Sequence, residues 1–357
     1  MQLSVRVVVV LAALALCERA RADDAFTAKT QVYADSDHTT VVSPLVAISR
    51  DAWRGGTVGA SYVADVVSSA SIDVVSNATK RMNDFRSEIT TALTQKWRAS
   101  TFSASYIYSI EHDYESHTAN LGFSQDLFQR NTTLSLGATF VHNDVGRSGD
   151  QAFHRRLLVT GAAASWTQVL TKRLIAQLSY TFTYNDGYQS SPYRFVPVQG
   201  AMDGVLFKVP ETTPGERFRH AFVAGLNQHL FTDSSIQGDY RFYVDNWGMQ
   251  SHTLQLRYFV TWKDVTLRVR ERFYYQSGVD FYKPHYDEVE AFMTTDRESS
   301  TLWSNLAGLK VSWRLPWVHR ALELEAKADF LYIHYVDYPL LAYRIGGTGE
   351  LGLNVIY

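Results

Sequence analysis

Hydrophobic and polar residues alternate along most of the chain. In residues 265–276 (VTLRVRERFYYQ), valine, leucine and phenylalanine take one set of alternate positions and three arginines take the other. Residues 321–332 repeat the pattern, with leucine and alanine opposite glutamate, lysine and aspartate. A period of two places successive side chains on opposite faces of an extended chain, whereas a helix would scatter them around its circumference. The pattern therefore predicts β-strands with one apolar and one polar face.

Turn-forming residues divide the alternating pattern into sixteen predicted strands. Their approximate bounds are 26–36, 39–50, 55–66, 84–98, 100–113, 115–128, 132–144, 153–168, 172–186, 218–231, 234–247, 249–262, 265–279, 300–314, 319–333 and 348–357. Most of them exceed the 9–11 residues that a tilted strand needs to cross a bilayer. Strands in soluble sheets are usually shorter, at about 5–6 residues, which argues against a soluble sandwich or propeller.

The connections between these strands alternate between short turns and long segments. The long segments are 67–83, 145–152, 187–217, 280–299 and 334–347. Outer-membrane barrels have short periplasmic turns and long extracellular loops. We therefore expect an all-β fold, a transmembrane antiparallel β-barrel of about 16 strands, in the outer membrane of a Gram-negative bacterium.

Aromatic residues near the strand ends support a membrane location. Trp97, Trp262, Trp303 and Trp313 stand where the apolar faces would end, as in the aromatic girdles of membrane barrels. The chain ends in an alternating strand that closes on Tyr357. Such an ending resembles the signal that the barrel-assembly machinery recognises, so we expect that machinery and outer-membrane lipid as partners.

The first 22 residues differ from the rest of the chain. Arg6 precedes a ten-residue apolar run at 7–16, and the sequence ARA at 20–22 supplies a small-residue cleavage pattern. A transmembrane helix would need about twice that apolar length. We therefore expect residues 1–22 to be a secretory signal peptide and residues 23–357 to form a single barrel domain.

Composition excludes several other classes. The 21 Tyr, 19 Phe and 8 Trp exclude an intrinsically disordered chain. The formal net charge of −2 lacks the basic excess of nucleic-acid-binding proteins. The single cysteine, Cys17, lies in the expected signal peptide, which leaves no disulfide or thiolate site elsewhere. A lipoprotein anchor at Cys17 is an alternative, although Leu16 stands where such anchors need a small residue.

The polar strand faces would line the barrel lumen. Charges belong there, because a basic side chain on the lipid face costs about 2–4 kcal/mol. The candidate pore-lining residues are Asp239, Arg241, Arg257, Arg268, Arg270, Arg272, Glu323, Glu325, Lys327 and Asp329. Two interpretations stay open: the arginines select anionic solutes, or arginine and glutamate rows pair with each other and brace the wall.

Histidines and carboxylates recur in the predicted loops. Asp35, Asp37 and His38 fall in the first turn, His117 in the third, and His285 in the long segment 280–299. Imidazole and carboxylate together suit Zn²⁺, Cu²⁺ or iron, although the spacing matches no fixed motif. We expect a transition-metal site at this rim if the loops converge. No resident cofactor is otherwise expected.

No motif in the chain indicates catalysis. His142, Asp144 and Ser148 lie close together in the sequence, but a Gly-x-Ser-x-Gly nucleophile elbow is missing from the sequence. We therefore do not expect an enzyme.

Several polar, patterned blocks together resemble one family of Gram-negative outer-membrane barrels known as a domain of unknown function. These blocks are VYADSDHTTVVSP (32–44), YVADVVSSASIDVVSNAT (62–79), TPGERFRHAFVAGLNQ (213–228), DYRFYVDNWGMQSHT (239–253) and RERFYYQSGVDFY (270–282). The resemblance implies a barrel of about this size and an association with metal or redox export. It implies no substrate and no functional residue.

These features predict a porin-like channel for small solutes, either anionic or associated with metal. A 16-stranded barrel leaves an aqueous channel unless something folds into it. The segment 68–85 is long and apolar for a turn, and we expect it to constrict the pore. The alternative is a non-conducting outer-membrane component of a metal, redox or secretion assembly, with its lumen plugged.

Overall fold

The computed structural model describes residues 24–69, 82–199, 206–315, 321–338 and 341–356. In this part of the chain, sixteen strands close into one antiparallel barrel. Two short strands, β10 (Phe195–Gln199) and β11 (Leu206–Pro210), pair with each other apart from the barrel. The barrel strands are β1 (Ala25–Asp35), β2 (Thr39–Trp53), β3 (Gly56–Ser69), β4 (Met82–Trp97), β5 (Ser100–Ile110), β6 (Tyr114–Leu127), β7 (Thr132–Val145), β8 (Arg155–Thr171), β9 (Leu174–Gly187), β12 (Glu216–Phe231), β13 (Ser234–Asp245), β14 (Gln250–Trp262), β15 (Val265–Gln276), β16 (Leu302–Leu315), β17 (Ala321–Tyr335) and β18 (Tyr343–Ile356). The predicted fold class is confirmed.

Each barrel strand pairs with its neighbours in sequence, and β1 closes the barrel against β18, from Ala25 opposite Ile356 to Asp35 opposite Gly346. The even number of strands brings the start of β1 and the end of β18 to the short-turn rim. The expected signal peptide, most of the segment 68–85 and the final Tyr357 lie outside the described residues.

The apolar strand faces form a continuous belt around the barrel. On β15, Val269 and Phe273 are 46% and 44% exposed, although both are large hydrophobic side chains. The facing positions on β14 and β16 carry Tyr258 and Leu309, which are exposed as well. A soluble protein does not expose apolar surface on this scale. The belt is therefore the lipid-facing surface of an outer-membrane barrel, which confirms the predicted location.

The belt ends at the long-loop rim in repeated tyrosine–histidine pairs. Each histidine lies opposite an aromatic residue on the neighbouring strand, and the tyrosine two residues before that aromatic residue hydrogen-bonds to the histidine Nδ1. The pairs are Tyr106–His117 at 2.6 Å, Tyr180–His220 at 2.9 Å and Tyr240–His252 at 2.7 Å. Amphipathic rings at this level are typical of a membrane interface. Among the described residues, no helix has the length and hydropathy needed to span a membrane.

The structure adds two elements that the alternating pattern did not predict. Strands β10 (Phe195–Gln199) and β11 (Leu206–Pro210) form a hairpin between β9 and β12. Pro197 and Pro210 fall inside them, and proline in a run of five residues weakens a strand signal. Strand β18 also starts five residues earlier than predicted, because its first half is rich in glycine.

Candidate pore lining and its extracellular cap

The inner wall carries a row of arginines on three adjacent strands. Arg241 lies on β13, Arg257 on β14, and Arg268, Arg270 and Arg272 on β15, all on the face opposite the lipid belt. Arg257 and Arg270 are direct cross-strand partners. We call these five residues the arginine row. Placing like charges side by side is unfavourable unless acids or bound anions compensate them.

Acidic partners compensate only part of the arginine row. Arg257 pairs with Asp239, and Arg270 pairs with Asp329 at 2.8 Å. Lys327 adds a second cation to Asp329 at 3.3 Å. The remaining three arginines form no ion pair with a described residue. They are Arg241, Arg268 and Arg272.

In a second charged cluster on β16, β17, β18 and β1, every lysine lies beside a glutamate. Glu325 binds Lys29 and Lys310 at 2.5 Å each. Glu350 lies 3.5 Å from Lys327 and 4.0 Å from Lys29. This cluster braces the wall, as expected if basic and acidic rows pair with each other. The arginines without acidic partners favour the other interpretation, in which the wall selects anionic solutes.

Glycines make room for the two acids beside the arginine row. Gly225 lies opposite Asp239, and Gly308 lies opposite Asp329. A Cβ atom added to these glycines would lie 2.8 Å and 2.1 Å from the carboxylate oxygens. The two acids therefore occupy space that a side chain on the neighbouring strand would fill.

The wall formed by β5 to β9 is uncharged at mid-height. Its inward side chains are hydroxyls, amides and small residues, linked by hydrogen bonds such as Asn120 to Ser105 at 3.1 Å and Thr139 to Asn120 at 2.8 Å. The lumen is therefore polar on one side and basic on the other.

Two long loops at the opposite rim from the short turns fold together, and we call them the cap. The first carries the β10–β11 hairpin (188–215), and the second joins β15 to β16 (277–301). Val196, Val198, Tyr286 and Met293 form a buried apolar core between them. This rim is extracellular by the rule that long loops face outward.

Ion pairs fasten the cap to itself and to the barrel rim. Arg194 joins Glu211 at 3.1 Å and Asp296 at 3.0 Å, which links the two loops. Arg297 reaches the β1–β2 turn, where it binds Asp37 at 2.5 Å, and both side chains are 4% exposed. Because both side chains are removed from water, loss of either partner would leave a buried charge without its counter-ion.

The predicted metal ligands do not form a common site. The carboxylate of Asp37 is bound by Arg297 and by Arg344, and that of Asp35 accepts backbone N–H groups of its own turn and the Tyr33 hydroxyl. The three histidines are dispersed: His38 is exposed in the β1–β2 turn, His117 faces outward beside Tyr106, and His285 pairs with Asp287 at 3.4 Å. In the described ranges, no three His, Cys, Asp or Glu side chains lie close enough to hold a metal ion.

The ten predicted pore-lining residues all occupy inward positions, as the strand alternation requires. Glu323 is the residue nearest the short-turn rim, opposite Arg314. The sequence did not single out Asn185, Arg217, Arg219 or Trp247, which lie beneath the cap. Arg217 and Arg219 alternate with Phe218 on β12, and this alternation is the sequence signal that could have placed both arginines on the inner wall.

Two solved structures have a similar fold. The chain is similar to a structure described as a bacterial polysaccharide outer membrane secretin, with a TM-score of 0.55 and 9% identity over 95% of this chain and 100% of that chain. It is also similar to CdiB from Acinetobacter baumannii, with a TM-score of 0.53 and 9% identity over 94% of this chain and 61% of that chain. At such identities the likeness shows the fold alone. No curated protein sequence matches the chain.

A family profile agrees with the resemblance found in the sequence blocks. It covers residues 74–335, which include every barrel strand from β4 to β17. The chain belongs to the family described as Protein of unknown function (DUF3570).

Proposed function

We propose that the protein is an outer-membrane channel for small anionic solutes. The observation that carries this proposal is the uncompensated part of the arginine row, formed by Arg241, Arg268 and Arg272. Three guanidinium groups without acidic partners are unfavourable as braces, and Arg268 and Arg272 also keep buried nitrogen atoms that no acceptor satisfies. An anion in the lumen would supply the missing partner through charge-assisted hydrogen bonds.

The uncharged wall opposite the arginine row supports the same proposal. Hydroxyl and amide groups can hydrogen-bond to a solute without repelling its charge. A basic side facing an uncharged side therefore attracts anions and repels cations. In the braced cluster around Glu325, by contrast, each lysine already has an acidic partner.

Permeation through liposomes tests this function. Vesicles containing the purified protein should admit gluconate faster than an uncharged sugar of similar size, and a matched organic cation slowest. Changing Arg241, Arg268 and Arg272 to Gln together should remove the preference for gluconate. Arg156→Gln is the matched control, because Arg156 lies on the outward face of β8 and is exposed. Equal permeation of the three solutes by the unaltered protein would refute the proposal.

The cap favours a second candidate, a non-conducting outer-membrane component of an assembly. Its buried core, the ion pair between its two loops and the ion pair to the β1–β2 turn make a fixed structure at the extracellular rim. A cap that seals the lumen would abolish permeation of all three solutes. Deletion of residues 190–212 would then open the barrel, whereas an open channel would gain little from that deletion.

A further inference from the structure

A polar cavity lies beneath the cap, outside the arginine row. It has a volume of about 360 Å³ and lies between the ends of β9 and β12, the β13–β14 turn and both cap loops. This volume is at the small end of ligand pockets, which range from about 300 to 1,000 Å³. It would therefore hold a small organic molecule.

Most polar groups of the cavity already have partners within the protein. Glu211 accepts hydrogen bonds from Arg194, the Ser191 N–H and the Thr294 hydroxyl. Gln189 donates to the carbonyls of Pro214 and Gly215, at 3.2 Å and 3.1 Å. These contacts hold the cavity walls in place before any ligand arrives, which favours binding.

Two groups in the cavity lack a partner. The Oδ1 atom of Asn185 is buried and accepts no hydrogen bond, and the whole side chain is 4% exposed. The Nε atom of Arg219 is buried and donates none, and Arg219 forms no ion pair with the described residues. A buried polar atom without a partner costs about 1–3 kcal/mol, so native structures rarely keep one without a reason.

The two unpartnered groups are close neighbours in the barrel wall. Arg219 lies opposite Thr183 on β9, and Asn185 lies two residues further along that strand, opposite Arg217. Arg217 is neutralised by Asp245 and stacks at 4.0 Å on the Trp247 ring, which forms an apolar wall of the cavity. The cavity thus combines one uncompensated cation, one free acceptor and an aromatic surface.

We propose that this cavity binds a small hydroxycarboxylate, with the carboxylate on Arg219 and the hydroxyl donating to Asn185 Oδ1. Guanidinium binds carboxylate in a planar, charge-assisted arrangement. The donor is a hydroxyl, because Asn185 Oδ1 is a neutral amide oxygen that accepts a hydrogen bond but supplies no negative charge to balance an ammonium. The site does not depend on conduction through the lumen.

Three probes that share a carbon skeleton test this assignment by isothermal titration with the full-length protein in detergent micelles. Lactate carries both groups, propionate lacks the hydroxyl, and 1,2-propanediol lacks the carboxylate. We expect lactate to bind most tightly, propionate about 10-fold more weakly and the diol not detectably. Binding of the diol as tight as lactate, or no binding of lactate, would overturn the proposal.

Variants of the two unpartnered groups locate the site. Arg219→Gln should weaken lactate binding by about 10- to 100-fold, because it removes the charged partner. Asn185→Ala should bring lactate down to the affinity of propionate and leave propionate unchanged. Arg156→Gln, on the outward face, should bind lactate as the unaltered protein does, and the heat-dependent gel mobility of each variant verifies folding. Unchanged lactate binding by Arg219→Gln would contradict the proposal for the cavity. A barrel that binds lactate but conducts no ions would refute only the proposed channel function.

Discussion

The Asp37 carboxylate fastens the cap to the barrel, and its removal should open the cap. Asp37 receives Arg297 of the second cap loop at 2.5 Å and Arg344 of β18 at 3.0 Å. In Asp37→Ala the guanidinium of Arg297 loses this carboxylate while it remains 4% exposed in the closed cap. The closed arrangement is then penalised, whereas the opened loop can hydrate its arginine.

The expected magnitude follows from the burial of this pair. Removing one partner of a buried ion pair costs about 3–5 kcal/mol. Because each 1.36 kcal/mol is a factor of ten, the equilibrium constant for opening the cap should rise by about 150- to 5,000-fold. The strands of the barrel keep their own hydrogen bonds and should be unaffected.

Amide hydrogen exchange measures this opening directly. The Met293 amide donates to the Thr212 carbonyl at 2.8 Å across the two cap loops, so its exchange rate follows cap opening. Asp287→Ala is the matched control, since Asp287 lies in the same loop but is 86% exposed beside His285. Exposed pairs contribute about 0–1 kcal/mol, so the control should change exchange by less than about fivefold. Equal exchange rates in the two variants would refute the assignment of Asp37 as a fastener.

Three further changes test other parts of the structure. Glu271 lies at mid-strand on the lipid face of β15, opposite Leu256. Glu271→Leu should raise the free energy of unfolding in liposomes by about 1–2 kcal/mol, whereas Leu256→Glu should lower it. A destabilised Glu271→Leu barrel would contradict the assignment of this face to lipid. Gly308→Ala should lower the free energy of unfolding by about 1–3 kcal/mol, because its Cβ would lie 2.1 Å from the Asp329 carboxylate. Gly349→Ala is the control, since a Cβ at that position meets only open space. Equal urea midpoints for the two variants would argue against close packing of Asp329 on Gly308. Burial raises the pKa of Asp296 even though Arg194 lies 3.0 Å away, so the ionised carboxylate joins the two cap loops at a net cost in free energy, which disappears as the pH falls through that pKa. Asp296→Asn removes this cost and should leave cap exchange at neutral pH unchanged or slower, and faster exchange would be the contrary result.

The barrel could be predicted from sequence because its determinants are local. Each strand repeats a two-residue period, so the inward position of Arg268 follows from the outward position of Val269 on the same strand. A shift of one residue would invert a whole strand, and the long apolar faces exclude such a shift. The number of strands and the two kinds of rim follow from the same pattern.

The cap and the cavity beneath it could not be predicted in this way. Arg297 and Asp37 are 260 residues apart, and Thr294 and Glu211 are 83 apart. No periodic pattern links such positions, since loop contacts depend on how irregular backbone folds over the rim. Asp35 and Asp37 of the β1–β2 turn therefore have the composition of a metal site, but in the structure Asp37 binds Arg297 and Arg344.

The central claim is that the lumen selects anions through the arginine row. The most direct test is the reversal potential of the purified protein in a planar lipid bilayer under a tenfold gradient of KCl. If the arginine row selects anions, the protein carries a stable current whose reversal potential has the sign of chloride selectivity. A reversal potential at zero or of the sign of potassium selectivity would contradict it.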